Sequence, residues 1–171
     1  MSLINETFLY NIFQSIDQDK SGYIDASELQ KALLNGSWEP FDIETVKMMI
    51  AMFDRGNSGK IGFSDFEALW KYVDDWQKCF SSFDMDHSGT IDKNEFRSAL
   101  FTFGYKLSDS VIDQLITKFN ENGEGTILFD KFIWVCVKLH ALTAAFNEYD
   151  TDKDGYINIP YDQFLNLIIS L

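Results

Sequence analysis

The sequence contains little cysteine, little proline and little basic charge. Of its 171 residues, two are cysteine and two are proline, and 27 acidic residues against 14 basic ones give a formal charge of −13. Cys79 and Cys136 each lie inside an apolar run, where a free thiol is usually a small core residue, so no disulfide framework is expected. The shortage of basic residues argues against nucleic acid as a partner, because a phosphate backbone binds basic surfaces. Acidic loops instead favour cations.

Long apolar runs and export signals are also absent. No uninterrupted apolar stretch approaches the ~20 residues that span a membrane, and the first residues, MSLINETFLY, lack the charged region, apolar run and cleavage site of a secretory signal. The sequence also contains no nucleophile elbow, no phosphate-binding loop and no histidine-rich metal centre. We therefore predict a cytoplasmic protein that is not an enzyme.

The sequence does contain an internal repeat. Five windows align on a glycine that is followed two residues later by isoleucine, beginning with Gly22 and Ile24. Counted back from each glycine, they define loops at residues 17–28, 54–65, 84–95, 120–131 and 150–163, whose starts are 37, 30, 36 and 30 residues apart. Long and short spacings therefore alternate along the chain.

The short spacings predict helices that are shared between neighbouring loops. Each leaves 18 residues between two loops, at 66–83 and 132–149, and neither stretch contains proline or glycine. Each is predicted to be one helix of ~27 Å that leaves one loop and enters the next. The long spacings carry turn residues at 35–40 and 103–108 and are predicted to hold two helices each. We predict an all-α fold, a single domain over residues 1–171 made of five helix-loop-helix repeats, called hands below.

The isoleucine in each loop predicts that the loops pair. A β-branched residue that points inward lets two loops form short antiparallel β contacts while its side chain is buried. The first loop is expected to pair with the second and the third with the fourth, which leaves the fifth without a partner inside the chain. An unpaired hand beside an apolar last helix predicts a homodimer, with contacts from Phe164, Leu167, Ile168 and Leu171.

Two loops carry complete oxygen ligand sets for calcium. A calcium loop supplies side-chain oxygens at positions 1, 3, 5 and 9, a backbone carbonyl at 7 and a bidentate acid at 12, with glycine at 6 for the turn. Carboxylates held this closely repel one another unless a cation lies between them, so both loops are predicted to bind Ca²⁺, with Mg²⁺ as an alternative occupant. The ligands are Asp17, Asp19, Ser21, the Tyr23 carbonyl, Asp25 and Glu28 in the first loop, and Asp84, Asp86, Ser88, the Thr90 carbonyl, Asp92 and Glu95 in the third.

The second and fourth loops lack ligands and are predicted mainly to brace their partners. In the second, Gly56 and Gly62 replace the side chains of positions 3 and 9, and Asp65 is shorter than the glutamate usual at position 12. In the fourth, Lys131 occupies position 12, where a positive charge excludes calcium.

The fifth loop begins like a calcium loop and ends differently. Its first half is matched by Asp150, Asp152, Asp154 and the Tyr156 carbonyl. By direct count, position 12 is Tyr161. In the other four loops, however, an apolar residue follows position 12. Phe164 takes that place in the fifth loop only if two residues are inserted near 159–160. Gln163 is then the terminal ligand, and because an amide is a weaker ligand than a carboxylate, weak binding at most is expected.

These features resemble the penta-EF-hand family over essentially the whole chain. The segments MFDRGNSGKIGFSDFEALWKYVDDWQ, SGTIDKNE, FGYKLSD and EYDTDKDGYI look most like its programmed-cell-death-6, apoptosis-linked type of adaptor. The resemblance implies a calcium-dependent homodimer joined through the fifth hands, which presents an apolar pocket to proline-rich segments of partners in membrane traffic. Such partners would recruit it to membranes or the nucleus. Carried over position by position, the pocket falls on Phe66, Trp70, Trp76, Phe103, Lys106 and Tyr161, with lysine at 106 where the family has arginine.

Several alternatives stay open at this point. Judged from residue type alone, aromatic residues on helices that flank calcium loops are more often core than partner surface. The apolar residues of the last helix are also compatible with folding back on their own domain. The competing functions are a calcium buffer that binds tightly and barely opens, a calcium-regulatory subunit of a larger enzyme, and a constitutive scaffold.

Overall fold

The computed structural model describes residues 6–35, 38–120 and 123–169, which form helices joined by short loops. The first two hands comprise α1 (Glu6–Ile16), β1 (Ile24–Asp25), α2 (Ala26–Ala32), α3 (Ile43–Phe53), β2 (Lys60–Ile61) and α4 (Phe63–Phe83). The remaining elements are α5 (Lys93–Thr102), α6 (Asp109–Phe119), α7 (Phe129–Tyr149) and α8 (Tyr161–Ile169). The predicted all-α class is confirmed. Among the described residues, none of the helices has the length and apolar character needed to span a bilayer.

Two helices are shared between hands, as the short spacings predicted. α4 and α7 are each 21 residues long, and each begins three residues before the predicted start at 66 or 132. The extra residues are the last three positions of the preceding loop. They form the first turn of the outgoing helix, so position 12 is the third residue of that helix and its side chain is held by helical backbone.

The long spacings are broken where turn residues occur. α2 ends at Ala32 and α3 begins at Ile43, and between them Leu34 and Pro40 form an antiparallel bridge. After α5, Gly104 has a φ of 89°, a conformation that glycine adopts without steric cost. Both breaks lie at the residues whose turn chemistry predicted them.

The first four loops pair in the predicted order. β1 and β2 are antiparallel, with Ile24 opposite Ile61 and Asp25 opposite Lys60. Ile91 and Ile127 exchange two backbone hydrogen bonds of 2.9 and 2.8 Å. All four isoleucine side chains are fully buried. Each pairing therefore joins two loops and adds to the core beneath them.

The chain divides into two compact units, with the boundary inside α7 between Ile133 and Trp134. The first unit contains the four paired loops and an aromatic core, in which Phe13 packs on Phe66 and Phe80 packs on Phe132, each with ring centroids 5.5 Å apart. The second unit contains the rest of α7, the fifth loop and α8. A single domain over residues 1–171 stays a prediction.

Candidate metal sites in the five loops

All five loops share one backbone turn. The side chain at position 1 accepts a hydrogen bond from the backbone N–H of the position-6 glycine in every loop, at 2.9, 2.6, 3.0, 2.7 and 3.1 Å in chain order. Left-handed φ values occur at position 4, in Lys20, Asn57, His87, Gly123 and Lys153, and at position 6, in Gly22, Gly59, Gly89, Gly125 and Gly155. In the first half of the loops, the described differences therefore lie in side-chain chemistry rather than in the backbone turn.

In the first loop, three predicted ligands converge. Asp17, Asp19 and Glu28 each place a carboxylate oxygen within 4.8 Å of the others. The Ser21 hydroxyl donates to the Tyr23 carbonyl at 3.0 Å, which brings the oxygens of positions 5 and 7 together. These donors are all oxygen, with no nitrogen or sulfur ligand, and this chemistry fits a hard cation such as Ca²⁺.

The position-12 glutamate of the first loop also joins the two ends of the loop. Glu28 accepts from the backbone N–H of Gln18 at 2.9 Å through one oxygen and from that of Asp25 at 3.1 Å through the other. Asp25 accepts in return from the Glu28 N–H at 2.9 Å, which completes a capping box at the start of α2. The residues at positions 9 and 12 thus start a helix as well as supplying oxygens.

The third loop repeats these interactions. Asp84, Asp86 and Glu95 place carboxylate oxygens within 4.8 Å of one another. Glu95 accepts from the N–H groups of Met85 and Asp92 at 2.8 and 2.9 Å, and the Asp92 side chain caps α5. The Ser88 hydroxyl donates to the Thr90 carbonyl at 3.2 Å.

Local hydrogen bonds favour the ionised form of both position-3 carboxyl groups. The hydroxyl and the backbone N–H of Ser21 hold the pKa of Asp19 below its ordinary value, with a smaller contribution from the positive charge of Lys60. The hydroxyl and N–H of Ser88 do the same for the pKa of Asp86.

The second loop has the same turn, but its described carboxylate groups do not form a cluster that could hold an ion. Its position-12 residue, Asp65, lies 3.8 Å from the Nε atom of Arg55, which places a positive charge beside the carboxylate. Gly62 precedes α4 without any side-chain cap. Within the described residues, the acidic clusters that could hold a metal ion are in the first, third and fifth loops, and the second contributes none.

The fourth loop uses its last two positions to contact the segment that precedes α3. The ammonium group of Lys131 lies 3.1 Å from Asp42 Oδ2, and the Lys131 side chain is only 11% exposed. The adjacent Asp130 carboxylate accepts from the Asp42 backbone N–H at 2.8 Å. Burial raises the pKa of Asp42, but hydrogen bonds from the Thr45 N–H and from Lys131 outweigh it and lower the pKa. Nothing in the sequence pattern linked residue 42 to residue 131.

In the fifth loop, the three early acids converge without a terminal acid. Asp150, Asp152 and Asp154 place oxygens within 4.8 Å of one another, and the Tyr156 N–H donates to Asp154 at 2.8 Å. α8 begins at Tyr161, so Gln163 is its third residue, the helical position that Glu28 and Glu95 occupy in α2 and α5. This placement agrees with the two-residue insertion.

The predicted partner pocket divides between core and surface. Phe66 is fully buried and packs on Phe13 and Trp70. The residue after position 12 faces inward in each of the first four hands, where Leu29, Phe66, Phe96 and Phe132 are all fully buried. Phe66 is therefore a core residue in this structure, and its assignment to a partner pocket stays a prediction.

The other predicted pocket residues lie nearer the surface. The Trp76 ring on α4 contacts Tyr72, Phe103 and Phe132, with centroids 6.0, 6.4 and 5.9 Å away. Phe103 lies at the end of α5, is 37% exposed and also contacts Phe83 at 5.6 Å. Trp70 is half-buried, and Lys106 is exposed. Tyr161, which belongs to the second unit, is exposed as well.

The predicted dimer residues lie on α8, which has no buried residue over its described length. Phe164 and Ile168 are exposed, Leu167 is half-buried, and Leu171 lies outside the described residues. Leu165 and Ile169 of the same helix are also exposed.

The comparisons with known proteins account for all five hands. A family model described as an EF-hand domain pair matches residues 6–71 and again 73–136, and an EF-hand model matches residues 142–160. Human sorcin is 40% identical over 167 residues, which cover 95% of this chain and 83% of sorcin. The chain belongs to the penta-EF-hand family.

Other members of the penta-EF-hand family are similar to a comparable degree. Sorcin of Schistosoma japonicum is 48% identical over 157 residues, covering 92% of this chain and 91% of the relative. Human peflin is 40% identical over 162 residues, covering 94% of this chain but only 57% of peflin. The solved structure of a homolog of programmed cell death 6 protein from Leishmania major Friedlin covers 95% of this chain and 92% of its own, with 29% identity and a TM-score of 0.80. The resemblance is confirmed, and family and acidic clusters together support a calcium sensor.

Proposed function

We propose that the protein is a calcium sensor-adaptor. In this proposal, Ca²⁺ binds in the first and third loops and changes an aromatic surface that recognises apolar, proline-rich segments of partner proteins. The matched ligand geometry of these two loops supports the ion sites. The arrangement of aromatic rings around the third loop supports the link between ion and partner.

The observation that carries this proposal is an aromatic cluster formed by Tyr72, Trp76, Phe83 and Phe103. Three of its rings lie on α4, which enters the third loop, and Phe103 lies at the end of α5, which leaves it. The cluster therefore bridges the two helices on either side of one candidate calcium site.

This arrangement would couple ion binding in the third loop to the exposed aromatic surface. Asp84 follows the last residue of α4, and Glu95 lies in the first turn of α5. In this proposal, a cation bound between these carboxylates changes the angle between α4 and α5, and the contact of Phe103 with Trp76 changes with that angle. The part of Phe103 that is exposed offers the apolar area a partner segment would cover.

A calcium titration of the full chain tests the proposal. Tryptophan emission, binding of an apolar dye and binding of a labelled synthetic proline-rich peptide are followed for the wild type, Glu95→Gln and Phe103→Ala. We expect Glu95→Gln to lose most of the calcium-dependent changes and Phe103→Ala to bind Ca²⁺ normally but the peptide weakly. Phe101→Ala is the matched control, because Phe101 lies on the same helix, is 70% exposed and is outside the cluster.

Three results would redirect the assignment. Tight Ca²⁺ binding with no change in dye or peptide binding identifies a calcium buffer, which binds without opening. Calcium-dependent retention of a large catalytic protein, with no peptide binding, favours a regulatory subunit of an enzyme. Peptide binding that is equal with and without Ca²⁺ contradicts the sensor and identifies a scaffold.

A second part of the proposal is that the fifth hand joins two copies of the chain. The apolar side chains of Phe164, Leu165, Ile168 and Ile169 are exposed on α8, and a C₂ contact would cover the same surface on both copies. Sedimentation of Phe164→Glu/Ile168→Glu should then show a monomer. Val111→Glu, which adds one glutamate at an exposed position of α6, should leave the dimer intact. An unchanged mass for the double variant would contradict this contact.

The proposal also covers location. We infer a cytoplasmic protein that its partners recruit to membranes or the nucleus in a calcium-dependent way. Fractionation of cells that express the wild type or Glu28→Gln/Glu95→Gln tests this inference, since the double variant should stay in the soluble cytoplasmic fraction when calcium rises. Equal recruitment of both proteins would contradict it.

A further inference from the structure

The first and third loops have matched ligands but unlike pairing partners. In the first pair, Asp25 lies directly opposite Lys60. In the second pair, Ile91 lies opposite Ile127, and continuing this antiparallel register by one residue places Asp92 opposite Thr126. The position-9 ligand of the first loop therefore faces a cationic residue, and that of the third loop faces a neutral one.

The register also sets which way these side chains point. Residues directly opposite in an antiparallel pair have Cβ atoms roughly 4.5–5.5 Å apart and project to the same face. Ile24 and Ile61 are fully buried, so Asp25 and Lys60 project to the other face, away from the core.

We propose that Lys60 of the second hand weakens Ca²⁺ binding at the first hand, so that loop pairing gives two otherwise matched sites different affinities. This inference rests on the proposed Ca²⁺ site in the first loop. The second hand has no acidic cluster of its own among its described residues. Under this proposal, its role is to set the Ca²⁺ affinity of the first hand.

The magnitude follows from the charges. A monovalent cation roughly 8 Å from a divalent one in a water-like dielectric lowers the affinity by about three- to tenfold. Salt should screen part of this repulsion, since the Debye length is about 8 Å at physiological ionic strength. The screening is incomplete because Lys60 is half-buried, and partly buried charges are screened less than exposed ones. The effect should therefore be largest at low salt.

Other cations also lie near the two loops. Lys93, next to Asp92 in the third loop, pairs with Asp113 of α6. Lys20 lies in the turn of the first loop itself and is exposed. Because the test changes Lys60 while Lys20 stays in place, the contribution of Lys60 is measured alone.

The experiment measures Ca²⁺ affinity by calorimetry with one site removed. In a Glu95→Gln background, which leaves the first loop, Lys60→Thr should tighten Ca²⁺ binding about three- to tenfold at low salt, and less at high salt. Lys60→Arg should leave the affinity unchanged because it keeps the charge. In a Glu28→Gln background, Thr126→Lys should weaken the third loop by a similar factor.

The control is Lys71→Thr, which removes the same charge from an exposed position on α4 and should leave the affinity of the first loop unchanged. Equal tightening by Lys71→Thr and Lys60→Thr would overturn the inference, because net charge alone would then explain the effect. Unchanged affinity in Lys60→Thr, with Ca²⁺ still bound in the Glu95→Gln background, would overturn it while the proposed function stands. No Ca²⁺ binding in that background would instead refute the proposed site in the first loop and the inference with it.

Discussion

The third and fourth loops lie side by side, share a backbone turn, and end on side chains of opposite charge. The Glu95 carboxylate accepts hydrogen bonds from the backbone N–H groups of Met85 and Asp92, at positions 2 and 9 of the loop. Lys131, at the equivalent position, pairs with Asp42 in the segment before α3. The turn itself is the same, since each position-6 glycine donates to the side chain at position 1.

This comparison shows that the loop backbone does not require an acidic set of ligands. The turn is held by the position-1 side chain, which is aspartate in one loop and asparagine in the other, and by left-handed residues. Ion binding is an additional property that depends on positions 3, 9 and 12. In the fourth loop, position 12 is basic, and its side chain connects the two hand pairs through Asp42. The fourth loop therefore has a structural role.

The strongest test of this comparison removes the terminal acid. Glu28→Gln or Glu95→Gln should lower Ca²⁺ affinity at the altered loop by at least ~100-fold, more than the roughly 10- to 100-fold cost of losing a hydrogen-bond partner of a metal ligand. Calorimetry of each variant should show one fewer site. Asp65→Asn in the second loop is the control and should change nothing, because that loop gathers no acidic cluster.

A second test concerns the structural role of the fourth loop. Lys131→Met should lower the free energy of unfolding by about 1–3 kcal/mol, because the Asp42 carboxylate is then left partly buried without its cation. Denaturant unfolding of the Ca²⁺-free protein measures this, so that ion binding does not contribute. A larger stability for Lys131→Met would show that the apolar replacement packs better than the ion pair.

The matched control for Lys131→Met is Lys93→Met. Lys93 pairs with Asp113 between exposed side chains, 41% and 54% accessible, and exposed pairs contribute about 0–1 kcal/mol. If the two variants lose the same stability, the pairing of Lys131 with Asp42 has no special structural role.

Much of the fold could be predicted because its signals are local. The glycine and isoleucine positions set the loops and their pairing, and the absence of proline and glycine set the shared helices. The starts of α4 and α7 were predicted three residues late, because positions 10 to 12 were counted as loop. In all of the first four hands the helix instead begins immediately after position 9.

The parts that could not be predicted depend on contacts between distant residues. The pairing of Lys131 with Asp42 joins positions 89 apart in the sequence, and no spacing rule connects them. Phe66 was assigned to a partner surface by resemblance, while its inward orientation follows from the helix that leaves the second loop. That Lys60 lies opposite Asp25 is known only from the register of β1 and β2 in the structure. The isoleucine positions are consistent with this register, but it was not worked out from the sequence.

The smallest effect is expected from giving the second loop the oxygens it lacks. Neither Gly56 nor Gly62 has a left-handed φ, and a Cβ atom at either would meet its nearest neighbour at an ordinary 3.6 or 3.7 Å. The double variant Gly56→Asp/Gly62→Asp should therefore fold normally. The Gly62→Asp change should also stabilise α4 by ~0.3 kcal/mol, because aspartate is a better N-cap than glycine.

Calorimetry of this double variant should show one additional Ca²⁺ site of low affinity, with a Kd of roughly 10⁻⁴–10⁻³ M. The site should stay weak because Asp65 is a short terminal ligand beside Arg55. The single variant Gly62→Asp controls for the helix cap and should gain stability without a new site. If the double variant folds but binds no additional ion, the shared turn is not a sufficient scaffold, and the distinction between the loops must extend to the backbone that carries position 12.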